Sequence, residues 1–192
     1  MKALEDRILK EGVVLPGQVL KVGSFLNQKV DTSLMMLMGQ EAARVFAQDG
    51  VTKVLTVEAS GIPLAFATAN AMGVPLVVAK KHKSANVSGE VLKAPVYSYT
   101  HKQTYEIVVS KDYIDSDDVV LIADDFLATG NALMGLTDIV HQQGARVAGA
   151  AIAIEKGFQK GGDTLREKGM KVLSMAIVDE MTDDGRITFR KQ

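Results

Sequence analysis

The chain predicts an α/β fold: a twisted, mostly parallel sheet with helices on both faces. Three observations carry this. Short apolar runs (Val54-Leu55-Thr56-Val57, Leu76-Val77-Val78-Ala79, Val119-Val120-Leu121-Ile122-Ala123 and residues 147–154) alternate with segments of helical length. Runs that are apolar at every position suit strands covered on both sides, whereas a half-exposed strand would alternate. Glycines close the helical segments at Gly12, Gly73, Gly144 and Gly169, as helix C-termini favour. Finally, 192 residues suit a single domain, residues 1–192, which buries about 70% of its unfolded surface.

The elements follow in order. Leu4, Ile8 and Leu9 make the apolar side of a first helix that Gly12 closes. Residues 13–27 are irregular, with Pro16, Gly17 and Gly23 among apolar residues, and read as strands and turns. A second helix takes Asp31 or Thr32 as its N-cap and runs to Gly50, with Leu34, Met38, Ala42, Val45 and Phe46 as its stripe. Its methionines, Met35, Met36 and Met38, read as core filler. Residues 59–79 carry no charge and are long enough to span a bilayer. Asn70, Gly73 and Pro75 interrupt them, so they read as a buried helix, opened by Pro63, and a buried strand. Residues 80–93 read as an exposed polar loop. Residues 96–99 and 106–110 are two short paired strands. A helix to Gln143 follows the strand at 119–123. Asp163 or Thr164 caps a short helix ending at Gly169, and residues 172–177 form a last core strand.

Composition narrows the function. Lysine and arginine number 22 against 23 acids, a net charge of −1, which advertises neither nucleic acid nor an anionic membrane as a partner. No cysteine is present, which excludes disulfides, thiolate metal sites and cysteine nucleophiles. Residues 1–7 carry early acids and no long apolar run, so they are no secretory signal and the expected compartment is the cytoplasm.

The chemistry concentrates after the strand at 119–123. Asp124-Asp125-Phe126-Leu127-Ala128-Thr129-Gly130-Asn131-Ala132 lead from that strand into a helix. Paired acids at a strand's carboxyl end are poorly placed for packing and well placed for a ligand. Free N–H groups and the helix dipole behind them suit a phosphate. Thr129 adds a hydroxyl, and Gly130 lets the backbone approach closely. A sugar phosphate fits, with phosphate on the loop and hydroxyls on the carboxylates. The alternative is a capped turn with solvent-exposed acids. Neither G-x-x-x-x-G-K-[ST] nor G-x-G-x-x-G stands at a strand–helix junction.

Leu121-Ile122-Ala123-Asp124-Asp125-Phe126-Leu127-Ala128-Thr129-Gly130-Asn131-Ala132 resembles the signature of the type I phosphoribosyltransferases, which bind phosphoribosyl pyrophosphate (PRPP). The likeness covers nearly the whole chain and is closest to bacterial members that take xanthine. Glu11-Gly12-Val13-Val14-Leu15, Leu20-Lys21-Val22, Phe25-Leu26-Asn27, Lys80-Lys81-His82-Lys83-Ser84 and Ile154-Glu155-Lys156 with Phe158 resemble them in the same order.

The resemblance implies the family's fold and its reaction: xanthine displaces pyrophosphate from carbon 1 of PRPP, giving xanthosine 5′-monophosphate. It implies that Ala128, Thr129, Gly130, Asn131 and Ala132 hold the 5′-phosphate. Asp124 and Asp125 hold the ribose hydroxyls, and either is a candidate for assisting proton removal from the base. Ser60, in the turn 58–61, would help cradle pyrophosphate. Lys81, with Lys80 and Lys83, would neutralise it, unless these lysines are simply a solvated basic edge; His82 reads as a surface histidine. Mg²⁺ accompanies PRPP with few protein ligands, and no metal-ligating residues are expected. Residues 83–103 resemble the family's mobile loop, which closes over the site and excludes water; Ser98 and Tyr99 are candidates to reach pyrophosphate.

Residues 13–30 with a C-terminal segment resemble the hood over the base, where Leu20 and Asn27 match positions that contact xanthine. Asn27 can donate to a 2-oxo group, turn its oxygen to guanine's 2-amino group, or simply serve a turn. Lys156 ends an apolar run and can donate to a 6-oxo group but gains nothing from adenine's 6-amino group; a lysine snorkelling at a strand end is the plainer reading. Phe126 or Phe158 could stack on the ring, or pack in the core. A hypoxanthine–guanine transferase is one alternative. A non-catalytic PRPP-sensing regulator is another, though such regulators carry a DNA-binding helical domain that residues 1–50 do not resemble. The resemblance also implies a homodimer, with the first two helices and Met35-Met36 as interface material.

Overall fold

The structure, a computed structural model, describes residues 1–81, 89–98, 103–182 and 184–191. His82, Lys83, Ser84 and Tyr99, with residues 83–88 and 99–102 of the expected mobile loop, lie outside the described residues.

Helix α1 (Lys2–Glu11) buries Leu4 and Ile8 but leaves Leu9 58% exposed, so its apolar side is narrower than expected. Strands β1 (Val13–Leu15) and β2 (Val19–Lys21) form a small antiparallel hairpin. In α2 (Thr32–Val45) the Asp31 carboxylate accepts from the Leu34 N–H at 3.0 Å, and Arg7 on α1 grips the same carboxylate at 2.8 Å. The helix ends at Val45 rather than Gly50; residues 46–50 form turns that reach Gly50 at φ 69°. Then come β3 (Lys53–Val57), α3 (Ile62–Met72), closed by Gly73 at φ 70°, and β4 (Leu76–Ala79). The uncharged stretch is thus a helix and a strand. No helix among the described residues is long and apolar enough to cross a membrane.

The next segment departs from expectation. Strands β5 (Val91–Ser98) and β6 (Gln103–Ser110) pair antiparallel over their full lengths. Leu92, Ala94 and Val96 point inward while Lys93, Pro95 and Tyr97 point out, so the strand begins inside what reads as a loop. Strand β7 (Val119–Leu127) continues through both acids, because backbone pairing with β8 (Arg146–Lys156) reaches Leu127↔Glu155. Helix α4 spans Asn131–Gln142. Helix α5 (Gly161–Glu167) starts before the expected caps, leaving Asp163 in its first turn, where Arg190 binds it at 2.6 Å. Strand β9 (Val172–Met181) is longer than expected, and an unexpected antiparallel strand, β10 (Ile187–Phe189), follows it.

The main sheet has the order β10-β9-β8-β7-β3-β4, parallel except for β10. One core packs α1, α2 and the first hairpin on one face; the other packs α4, α5 and the β5–β6 hairpin on the opposite face. The carboxyl ends of β3, β4, β7 and β8 therefore meet at one rim.

Candidate active site

At that rim the paired acids diverge. Asp124 and Asp125 are each only 7% exposed, which removes the alternative of solvent-facing acids. Asp124 accepts from the Asp125 N–H at 2.9 Å. Burial, then the neighbouring Asp125 charge, hold its carboxyl well above the usual carboxylate range, and Lys81 pulls modestly the other way. Asp125 faces the hood: the Asn27 amide donates to its Oδ2 at 2.9 Å. A residue 98 positions away in sequence thereby reaches the acid pair, as no local pattern could show.

Beyond Leu127 only Ala128, Thr129 and Gly130 separate strand from helix. Gly130 has φ 87° and caps α4, so Asn131 and Ala132 open that helix rather than belong to the loop. Their N–H groups are among those a helix leaves unpaired. Asn131 spends its side-chain amide on the Tyr97 carbonyl at 3.2 Å, tethering the β5–β6 hairpin to the loop. A cavity of about 180 Å³ opens here between Tyr97, Tyr105 and residues 126–133. A larger groove, about 840 Å³, runs along the outer side of α4 to the starts of β8 and β9; neither cavity is lined by Asp124 or Asp125, and the smaller is the one that residues 128–132 form.

The turn 58–61 lies against Asp124. A Cβ at Gly61 would stand 2.5 Å from Asp124 Oδ1 and 2.6 Å from Thr56 Oγ1, so only glycine permits the approach. Ser60 is exposed at the turn, and the Glu58–Ala59 peptide is cis. Glu58 accepts from the Lys81 N–H at 2.7 Å and pairs with Lys80 at 3.2 Å. These bonds hold its carboxyl below the usual range. Lys80 is therefore paired within the protein, while the Lys81 ammonium stands 5.5 Å from the Tyr105 ring centre.

On the other side of the acids, Lys156 lies 5.9 Å from the Phe126 ring centre and donates to the Gln18 carbonyl of the hood at 2.9 Å. Burial lowers its proton affinity. Leu20 is 6% exposed within the hood core, and Phe158 packs half-buried against that core. The structure thus brings together Asp124, Asp125, residues 128–132, the turn bearing Ser60, Lys81, Asn27 and Lys156. The sequence reading placed Glu58 in the turn but missed that its carboxylate holds the Lys81 N–H, and it missed Gln18, at φ 61°, and Tyr105. A polar residue ending an apolar strand was the available signal for Glu58; Gln18 had none, since a backbone carbonyl has no sequence signature.

A small-molecule site at the carboxyl rim of a parallel sheet, with acids beside a phosphate-sized turn, defines a nucleotide-handling α/β protein. Residues 34–175 match the Phosphoribosyl transferase domain, and the chain belongs to that family. Xanthine phosphoribosyltransferases from Lachnoclostridium phytofermentans and Brevibacillus brevis are 50% and 49% identical to it. The alignments cover 99% and 96% of this chain, and 98% and 94% of theirs. Among solved structures, an adenine phosphoribosyltransferase from Rhodothermus marinus superposes with a TM-score of 0.71 at 23% identity, over 92% of this chain and 99% of its own. That likeness shows the fold: a type I phosphoribosyltransferase architecture.

Proposed function

We propose that this protein transfers the phosphoribosyl group of PRPP to xanthine, producing xanthosine 5′-monophosphate and pyrophosphate in purine salvage. The observation that carries the reading is the convergence of Asn27 and Lys156 on the rim that holds the acid pair, in a chain half identical to named xanthine phosphoribosyltransferases. The bond from ribose carbon 1 to pyrophosphate breaks, a bond to a purine nitrogen forms, and that nitrogen's proton must leave. Charge builds on the leaving pyrophosphate and on the sugar ring, so positioning and electrostatics do the work.

In this reading the N–H groups of residues 128–132, with the Thr129 hydroxyl, hold the 5′-phosphate at the start of α4. Asp124 and Asp125 accept from the ribose hydroxyls. Asp125, facing Asn27, lies on the base side and is the better placed to receive the base's proton; Asp124 faces the pyrophosphate side, where the 58–61 turn and Lys81 meet the leaving group. Lys156 donates to the 6-oxo oxygen and Asn27 to the 2-oxo oxygen, each exchanging a protein partner for the base. Mg²⁺ accompanying PRPP would, when bound, offset the leaving group's charge. We further propose a homodimer.

The test offers equal xanthine, guanine, hypoxanthine and adenine with PRPP and Mg²⁺, and separates the nucleotides by chromatography. Xanthosine monophosphate should dominate. Lys156→Met should lower kcat/KM for xanthine by about 10- to 100-fold, the scale of a charged hydrogen bond. Dominant inosine or guanosine monophosphate would overturn the base assignment. PRPP binding without any nucleotide product would instead favour a regulator.

A further inference from the structure

Helix α5 has only seven residues, too few to hold itself in place, yet it forms one wall of the phosphate loop. Its Gly161 N–H donates to the Ala128 carbonyl at 3.2 Å. A Cβ at Gly161 would stand 2.6 Å from the Thr129 carbonyl carbon and closer still to Ala128 O, and a Cβ at Gly130 would stand 3.3 Å from Leu165. All three loop residues thus rest on α5 with no slack.

Arg190 holds the first turn of α5 through Asp163, and a buried carboxylate holds its last turn. Glu155 is 0% exposed and pairs in the sheet with Leu127, the residue before the loop. Arg166 of α5 grips it with both arms, Nη1 to Oε1 at 3.0 Å and Nη2 to Oε2 at 2.6 Å, and the Ser174 hydroxyl donates to Oε2. Gly162 lies so near that a Cβ there would be 2.7 Å from Oε2 and closer to the rest of the carboxylate. A two-armed arginine–carboxylate pair fixes orientation as well as distance. The neighbouring Lys156 points away, to the hood.

We infer that Glu155 is a positioning residue, which through Arg166 and α5 sets the phosphate loop for the 5′-phosphate of PRPP without acting on the base. The inference rests on the reading of residues 128–132 as the 5′-phosphate cradle. It is tested on the full chain with Glu155→Gln and with Arg166→Lys, which keeps the charge at a partly exposed position and loses the fork. Calorimetry with ribose 5-phosphate reports the cradle alone, and steady-state kinetics report each substrate separately. The expected result is a Kd for ribose 5-phosphate and a KM for PRPP raised about tenfold or more, as small misplacements of positioning groups produce. The KM for xanthine and the kcat at saturating PRPP should stay within about twofold of wild type, with Arg166→Lys milder. Variants that lose kcat in step with folded protein, at unchanged affinity, would reduce Glu155 to a structural residue and overturn the inference. Wild-type affinity in both variants would overturn it too. Failure of the wild-type protein to bind ribose 5-phosphate would overturn the cradle reading and this inference with it.

Discussion

Asp124 holds its site at the expense of the fold. Its carboxyl is buried beside Asp125, and both effects favour the protonated form. The folded state therefore binds this proton more tightly than the unfolded chain, so Asp124 weakens the fold as pH rises above the unfolded carboxyl range of about 4. Asp124→Asn removes that penalty and retains an oxygen to accept the Asp125 N–H. The variant should melt about 2–4 °C above wild type at pH 8, with the gap closing toward pH 4, while losing most of its activity. Thermal melts across pH beside a turnover assay check both halves. The position of the acids at a strand's carboxyl end was legible in the sequence; that they are buried and face opposite sides was not. Side-chain direction at the end of a twisted strand depends on its neighbours.

Among the elements, the turn 58–61 has no room for a further methyl group at Gly61. Gly61→Ala would force a methyl against Asp124 Oδ1 and Thr56 Oγ1, and overpacking of this kind costs about 1–3 kcal/mol. The turn would move off the acid pair. The KM for PRPP should rise and kcat fall by about tenfold or more, with a lower denaturation midpoint; steady-state kinetics and a urea titration decide. Strand β5 shows an element that was legible and only partly read: Leu92, Ala94 and Val96 keep a period of two, but the polar run to Lys93, with Gly89 in it, reads as loop. Strand β7 shows the opposite case. Two aspartates are poor strand formers, and it is pairing with β8 that carries the strand past them.

At the scale of the molecule, α3 has no charge on any side, yet its Phe66 is 61% exposed and Leu37 of the packed α2 is 50% exposed. A helix apolar all round is normally covered, and this supports the proposed homodimer, with α2 and α3, rather than the expected α1 and α2, as its face. Met35 is 4% exposed within the protomer's own core, so it offers such a face little. Phe66→Lys should shift the protein from dimer to monomer, since burying one phenylalanine is worth about 1.5–3 kcal/mol and a buried unpaired lysine opposes it. Light scattering during size-exclusion chromatography reads the change; a wild-type protein that elutes as a monomer would remove the proposal.

The sequence by itself determined the layered α/β architecture and the place of the strand–turn–helix junction at 124–132, because apolar periodicity, glycine caps and such a junction are local properties that survive in one dimension. Tertiary structure alone decided that Asn27 meets Asp125, that Lys156 turns to the hood carbonyl of Gln18, and that Arg166 of α5 grips the buried Glu155. These are contacts between side chains brought together by sheet order and helix packing, and no periodicity along the chain records them.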